Sequence, residues 1–259
     1  MTKPSQVRQK EILDLLEDSH HCTITQLCDR FSVSIPTVHR DIDELVSNGK
    51  AEKIHGGVQY LPVHDNGSSG NASFQVRVNR QKQAKREIAH KALSLIEEDD
   101  VIFMDSSTTV LHLARELANS KIGRVTVITN SCSVANEFHT FPQHMTLISI
   151  GGAYNAQLHS FLGSITQQTL DQLPITKAFV SAVGVSENGL YTFHEPHADF
   201  LKHLLSRSSN NILLADASKF NRQAVFHICD LNQINTIVSD RKIPKEAIKY
   251  LKTKKSVIL

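Results

Sequence analysis

Apolar residues recur at spacings of three and four between residues 34 and 45, at Ile35, Val38, Ile42 and Leu45, while Thr37, His39, Arg40, Asp43 and Glu44 fall outside that stripe. The period predicts a short helix with one buried face and one polar face turned outward. Ser34 suits its N-cap and Pro36 its first turn, where a missing N–H costs nothing. Just upstream, Thr25 is placed to cap a second helix over 26–31, whose Leu27, Cys28 and Phe31 supply the facing apolar surface. Ser32-Val33 is the tight connection between the two. A longer amphipathic helix carrying Val7, Ile12, Leu15 and Leu16 precedes the pair. Downstream, Gly56-Gly57 lies between two short β-prone runs and signals a hairpin. Three helices and a hairpin predict a small winged helix-turn-helix domain over 1–61, with the helix pair at about 20–45 and the wing at about 50–61.

Beyond it the pattern changes. Residues 62–73 include Asp65-Asn66-Gly67-Ser68-Ser69-Gly70-Asn71, a composition that buries no core and reads as a linker. Over 74–91, Arg77, Arg80, Lys82, Lys85, Arg86 and Lys91 face the single acid Glu87. Of two readings, an extra phosphate-contacting arm and a solvated helix face leading into Ile88, Ala89 and Ala92, the second is favoured. Strand-like runs at 101–105, 125–130, 145–151, 177–185, 211–216, 236–240 and 256–259 then alternate with helix-like segments. This alternation predicts an α/β domain over 74–259, Rossmann-like, with a mostly parallel sheet.

The strand ends carry the chemistry. Four of them run into Asp105-Ser106-Ser107-Thr108-Thr109, Thr129-Asn130-Ser131, Gly151-Gly152 and Asp216-Ala217-Ser218-Lys219. In open α/β sheets, ligands bind outside the carboxyl ends of the strands. Hydroxyls and free N–H groups of 106–109, ahead of a helix predicted over 110–118, suit a phosphate. Asp105 and Asp216 can accept from sugar hydroxyls, Asn130 can donate and accept, and Lys219 offers a mobile cation. A phosphorylated sugar or polyol satisfies all of these groups.

At the other end of the chain, Thr37, His39 and Arg40 are expected to reach base edges and phosphates in a major groove of double-stranded DNA. Thr25, Gln26, Ser34 and Pro36 at the helix starts, and Lys53, His55 and Gly56 in the wing, complete the candidate DNA contacts. Charge runs against the usual footprint: residues 1–62 hold seven Lys and Arg against nine Asp and Glu. Modest affinity per domain and strong salt dependence are therefore expected.

The 259 residues give room for two domains, with 40 % hydrophobic and 21 % charged positions and a formal net charge of +2. No apolar run is long enough to cross a bilayer, and no targeting segment is read at the start of the chain. Cys22, Cys28, Cys132 and Cys229 form no Cys-x-x-Cys pair, so neither a disulfide framework nor a zinc cluster is implied. His20-His21-Cys22 with Cys28 matches no common metal spacing. The expectation is a cytoplasmic protein with no metal and no cofactor.

The motif Thr37-Val38-His39-Arg40-Asp41-Ile42, then Gly49, then Lys53-Ile54-His55-Gly56-Gly57-Val58, resembles the signature of the DeoR family of bacterial transcriptional regulators. The C-terminal loops resemble the same family's effector domain, which is similar in fold to ribose-5-phosphate isomerase. Asp105-Ser106-Ser107-Thr108-Thr109 matches its Asp-x-Gly-Thr-Thr loop, Thr129-Asn130 its Thr-Asn, Gly151-Gly152 its Gly-Gly, and Asp216-Ala217-Ser218-Lys219-Phe220 its Asp-x-Ser-Lys-Phe. The resemblance also implies an effector-pocket role for Lys202. The chain departs from the pattern at His39, where arginine is usual, at Ser107, where glycine is usual, and at His194-Glu195-Pro196-His197.

These readings lead to a homo-oligomeric repressor of carbohydrate-metabolism genes, released from operator DNA by a phosphorylated sugar or polyol. The main alternative is a sugar-phosphate isomerase with an appended DNA-binding domain, using Asp105, Asp216 or Glu187 as base and Lys219 beside an enediolate. The resemblance is to regulators without a catalytic role, so an enzyme is not expected. A protein-binding adaptor is the third reading, suggested by the acidic balance of residues 1–62.

Overall fold

The computed structural model describes residues 5–19, 21–48, 50–54, 56–60, 74–253 and 257–259. Two compact units result, Met1–Arg80 and Gln81–Leu259.

In the first unit, α1 (Ser5–Ser19) is followed by β1 (His21–Thr23), α2 (Ile24–Phe31), α3 (Ile35–Ser47), β2 (Ala51–Ile54), β3 (Gly57–Tyr60) and α4 (Phe74–Asn79). Ile12, Leu16, Cys22, Leu27, Val38, Ile42, Leu45, Ala51 and Val58 form its core. β3 lies between β1 and β2 in an antiparallel sheet. The hairpin expected from Gly56-Gly57 is therefore the wing, with a third strand added. Gly56 has φ +76°, and a Cβ on Gly57 would lie 2.4 Å from the Cys22 carbonyl, so each glycine has its own reason.

Three local expectations are corrected. Thr23, not Thr25, caps α2: its hydroxyl accepts from Gln26 N at 3.2 Å while Gln26 Oε1 accepts from Thr23 N at 2.8 Å. Ile35 and Val7, expected in the apolar stripes, are exposed. In their stead a charged residue is buried. Asp41, on the core face of α3 with Val38, Ile42 and Leu45, is paired with Arg8 of α1. Arg8 Nη2 donates to Asp41 Oδ1 at 3.0 Å, Ser5 Oγ donates to the same oxygen at 2.7 Å, and Gln9 Nε2 donates to Glu44 Oε2 at 2.5 Å. Helix α4, expected within the C-terminal domain, groups with this first unit, and Arg77 lies over its Phe74 ring. The linker expected over 62–73 falls outside the described residues.

The second unit runs α5 (Lys82–Leu93), β4 (Val101–Met104), α6 (Thr108–Ala118), β5 (Thr126–Thr129), α7 (Cys132–Glu137), β6 (Thr146–Ser149), β7 (Ala153–Asn155), β8 (Ser160–Leu162), α8 (Ser164–Leu170), β9 (Lys177–Val180), β10 (Gly184–Ser186), β11 (Gly189–Thr192), α9 (Glu195–Arg207), β12 (Asn210–Leu214), β13 (Phe226–Cys229), β14 (Thr236–Val238), α10 (Lys245–Thr253) and β15 (Val257–Ile258). Seven strands form one sheet in the order β15-β14-β12-β9-β4-β5-β6. Every pairing in it is parallel. Each of the seven expected strand segments overlaps one of these strands, β12 starting one residue earlier than expected. The inner strands β4, β5, β9 and β12 are buried almost throughout because both faces of the sheet are covered there, whereas the edge strand β6 is partly exposed. Phe103 and Phe200 meet in this core with ring centroids 5.8 Å apart.

The expected strand at 177–185 is two: β9 stops at Val180, and β10 opens a separate antiparallel sheet with β11 and β13. The hairpin of β7 and β8 was also not anticipated. No helix among the described residues is long and apolar enough to cross a membrane.

Burial by itself would raise the pKa of Asp41, but hydrogen bonds from Arg8 and Ser5 outweigh it and hold the carboxyl below its ordinary 3.8. An acid depressed in the folded state stabilises fully above its unfolded pKa, and that stability is lost as pH falls through the folded value. Asp41→Asn is expected to cost the N-terminal unit about 3 kcal/mol at neutral pH and to flatten its loss of stability in acid. Hydrogen exchange of α1 and α3 amides in the full chain, followed from neutral to acid pH, measures both effects.

Candidate functional site

Two surfaces collect the candidate residues. On the first unit, the polar face of α3 presents His39 and Arg40 to solvent, with Ser34 and Pro36 exposed at its start and Thr37 half-buried. Ser34 and Thr37 hydroxyls lie 2.9 Å apart, so Ser34 caps by its backbone geometry and not through its side chain. Thr25 and Gln26 are exposed in the first turn of α2. In the wing, Lys53 reaches back to Asp43 of α3 at 2.5 Å, a contact that draws its ammonium alongside the helix. Gly56 is at the turn; His55 lies outside the described residues. Arg40 makes no ion pair among the described residues.

On the second unit, the sheet reverses its direction of growth at β4. From β4 the chain builds outward through β5 to β6, then returns to add β9, β12, β14 and β15 on the opposite side. The carboxyl ends of β4 and β9 thus flank a topological switch point, the place where open α/β sheets bind their ligands. Asp105 sits there fully buried. Its Oδ1 accepts from Ser107 N and its Oδ2 from Ser181 N, both at 2.8 Å. The carboxylate thereby ties the loop after β4 to the end of β9. Ser107 Oγ in turn accepts from Val110 N and caps α6, which starts at Thr108, two residues ahead of the helix expected at 110–118.

The neighbouring loops are built alike. Thr129 Oγ1 donates to Met104 O at 2.6 Å and accepts from Ser131 N at 3.0 Å, while Ser131 caps α7. Asn130, 1 % exposed, donates through Nδ2 to Phe161 O at 2.9 Å, and its Oδ1 is buried without a hydrogen-bond partner. Asp216 accepts from Ser218 N at 3.0 Å, and Asp240 of the loop after β14 holds Ala217 N at 2.6 Å. Lys219 is half-buried on the short helical turn that follows. Gly151 is exposed, whereas a Cβ on Gly152 would lie 2.1 Å from Thr166 Oγ1. Gly152 therefore serves close packing of the chain against α8. Lys202 is exposed on α9, with no hydrogen bond to these loops.

Lys85 is the residue that sequence reasoning misplaced. The stretch around it was expected to be a solvated face, and Lys82 and Arg86 are indeed exposed, but Lys85 is only 4 % exposed. Its Nζ donates to Thr108 Oγ1 at 2.8 Å, inside the loop after β4. A signal was present: Lys85, Ile88, Ala89, Ala92 and Ile96 share one helical stripe, and the others are core residues. Ser181, buried beside Asp105, was also missed, because the strand was read straight through it. The site thus combines buried hydroxyls of Ser106, Thr108 and Thr109, a desolvated ammonium, and the N-terminus of α6, an arrangement that favours a guest of high negative charge.

Residues 8–62 match the DeoR-like helix-turn-helix domain, and residues 80–241 match the DeoR C terminal sensor domain. The chain is 31 % identical over 244 residues to the L-fucose operon activator of Haemophilus influenzae, covering 94 % of this chain and 95 % of that one. It is 32 % identical over 242 residues to the lactose phosphotransferase system repressor of Lactococcus lactis subsp. lactis, covering 91 % of each. Among solved structures, ribose 5 phosphate isomerase A from Neisseria gonorrhoeae aligns over 54 % of each chain at 17 % identity and a TM-score of 0.41.

Asp105→Asn places an NH2 donor against a backbone N–H. Thermal unfolding of the ligand-free protein is expected to show the C-terminal unit destabilised by about 2 kcal/mol, whereas a residue serving only ligand contact would leave it unchanged.

Proposed function

Because the chain belongs to the DeoR family and is a DNA-binding transcriptional regulator, we propose that it represses carbohydrate-metabolism genes and leaves its operator when a phosphorylated sugar or polyol enters the crevice at β4 and β9. The observation that carries this reading is Lys85: a buried ammonium hydrogen-bonded to Thr108 at the start of α6, where a phosphate would meet the cation, the hydroxyls and the helix dipole together. Asn130 Oδ1 supplies a buried acceptor for a hydroxyl, and Lys219 a second cation. Release requires the ligand to bind the conformation that does not hold DNA more tightly, and linkage makes the antagonism reciprocal. Paired winged helices on a two-fold operator make the protein a homo-oligomer acting in the cytoplasm. Against the isomerase reading, both oxygens of Asp105 accept backbone N–H groups and Asp216 accepts from Ser218, so these carboxylates shape loops.

A mobility shift of the DNA upstream of the protein's own gene, challenged with sugar phosphates and their unphosphorylated parents, tests the proposal. One phosphorylated compound should reverse the shift while its parent does not; a shift that none reverses rejects the ligand class. Arg40→Ala is expected to weaken DNA binding about tenfold or more with ligand binding intact. Lys219→Ala and Lys85→Ala are expected to keep DNA binding and lose the reversal.

A further inference from the structure

Of the four apolar residues that share the stripe of α3, the fold takes in three. Val38, Ile42 and Leu45 are at most 4 % exposed, and Ile35 is 57 % exposed. Ile35 stands in the first turn of the helix, directly after the Ser34 cap and beside the exposed Pro36. The hydroxyls that flank this turn, on Ser34 and Thr37, are within hydrogen-bonding distance of each other. The tip of the helix therefore presents two adjacent side chains with no donor and no acceptor. Folding does not explain Ile35, because the core closes without it.

In a helix-turn-helix, the N-terminal residues of the second helix are those that approach base edges in the major groove. Amide and guanidinium side chains read such edges by hydrogen bonds, which isoleucine cannot form. The apolar group displayed in that groove is the C5-methyl of thymine. We infer that Ile35 is a specificity determinant that packs on the methyl group of a thymine in each operator half-site, excluding water from both apolar surfaces. The inference rests on DNA binding by the winged helix and is independent of the ligand proposed for the C-terminal unit.

Selection from a pool of randomised duplexes, carried out with the full-length protein and with Ile35→Ala, locates the position. The parent protein should enrich a thymine at one position per half-site that Ile35→Ala leaves unselected, with the remaining positions shared. Replacing that thymidine by deoxyuridine removes the methyl alone, and should weaken binding of the parent protein about fourfold while leaving Ile35→Ala unaffected. The uridine measurement on the parent protein needs no variant to fold. Unchanged affinity for the uridine duplex, or selection of the same thymine by Ile35→Ala, overturns the inference.

Discussion

The C-terminal unit depends on how one buried carboxylate is satisfied. A parallel sheet that grows first one way and then the other sends the chain off in opposite directions beyond its central ladder, and where the β4–β9 ladder ends at Met104 and Phe179 the Asp105 carboxylate ties the two departing loops together through Ser107 N and Ser181 N. Those two donors fix the path of the loop that starts α6, and hence the place of Thr108 and of the Lys85 ammonium that meets it. A desolvated charge at such a point is tolerable only with well-formed hydrogen bonds, so the same interactions that close the fold also prepare a polar crevice.

The N-terminal unit applies the same principle to different ends. Its core is small, and the Arg8 and Asp41 pair, with Ser5 on the same carboxylate, locks α1 to α3 inside it. Burying two charges adds little net stability compared with apolar packing, but once buried the pair admits one register of the helices. The Thr23 and Gln26 capping box fixes α2 in the same way, satisfying the backbone N–H of Thr23 and of Gln26 that would otherwise be orphans.

Legibility in the sequence followed the period of the apolar residues. The parallel strands could be read because the inner ones, covered on both faces, are short apolar runs that alternate with helix-like segments, and the helix pair could be read because its stripe repeats at three and four. The strands β7, β8, β10, β11 and β13 escaped because they lie outside the alternation of parallel strand and helix, and because β11 pairs with β13 across a long separation in sequence, Thr192 opposite Phe226. The choice between Thr23 and Thr25 turned on a glutamine three residues after the first. Asp41 was left out of the predicted stripe and Lys85 was read as part of a solvated face for one shared reason: each lies on the buried side of its helix, yet its residue type alone assigns it to solvent.

The way α3 divides its duties has an evolutionary consequence. The buried face of that helix rests on Val38, Asp41, Ile42 and Leu45, and its first turns offer Ile35, Pro36, His39 and Arg40 outward. Substitutions in the second set leave the interior untouched, so a duplicated copy of such a gene can drift toward new operators without first becoming unstable.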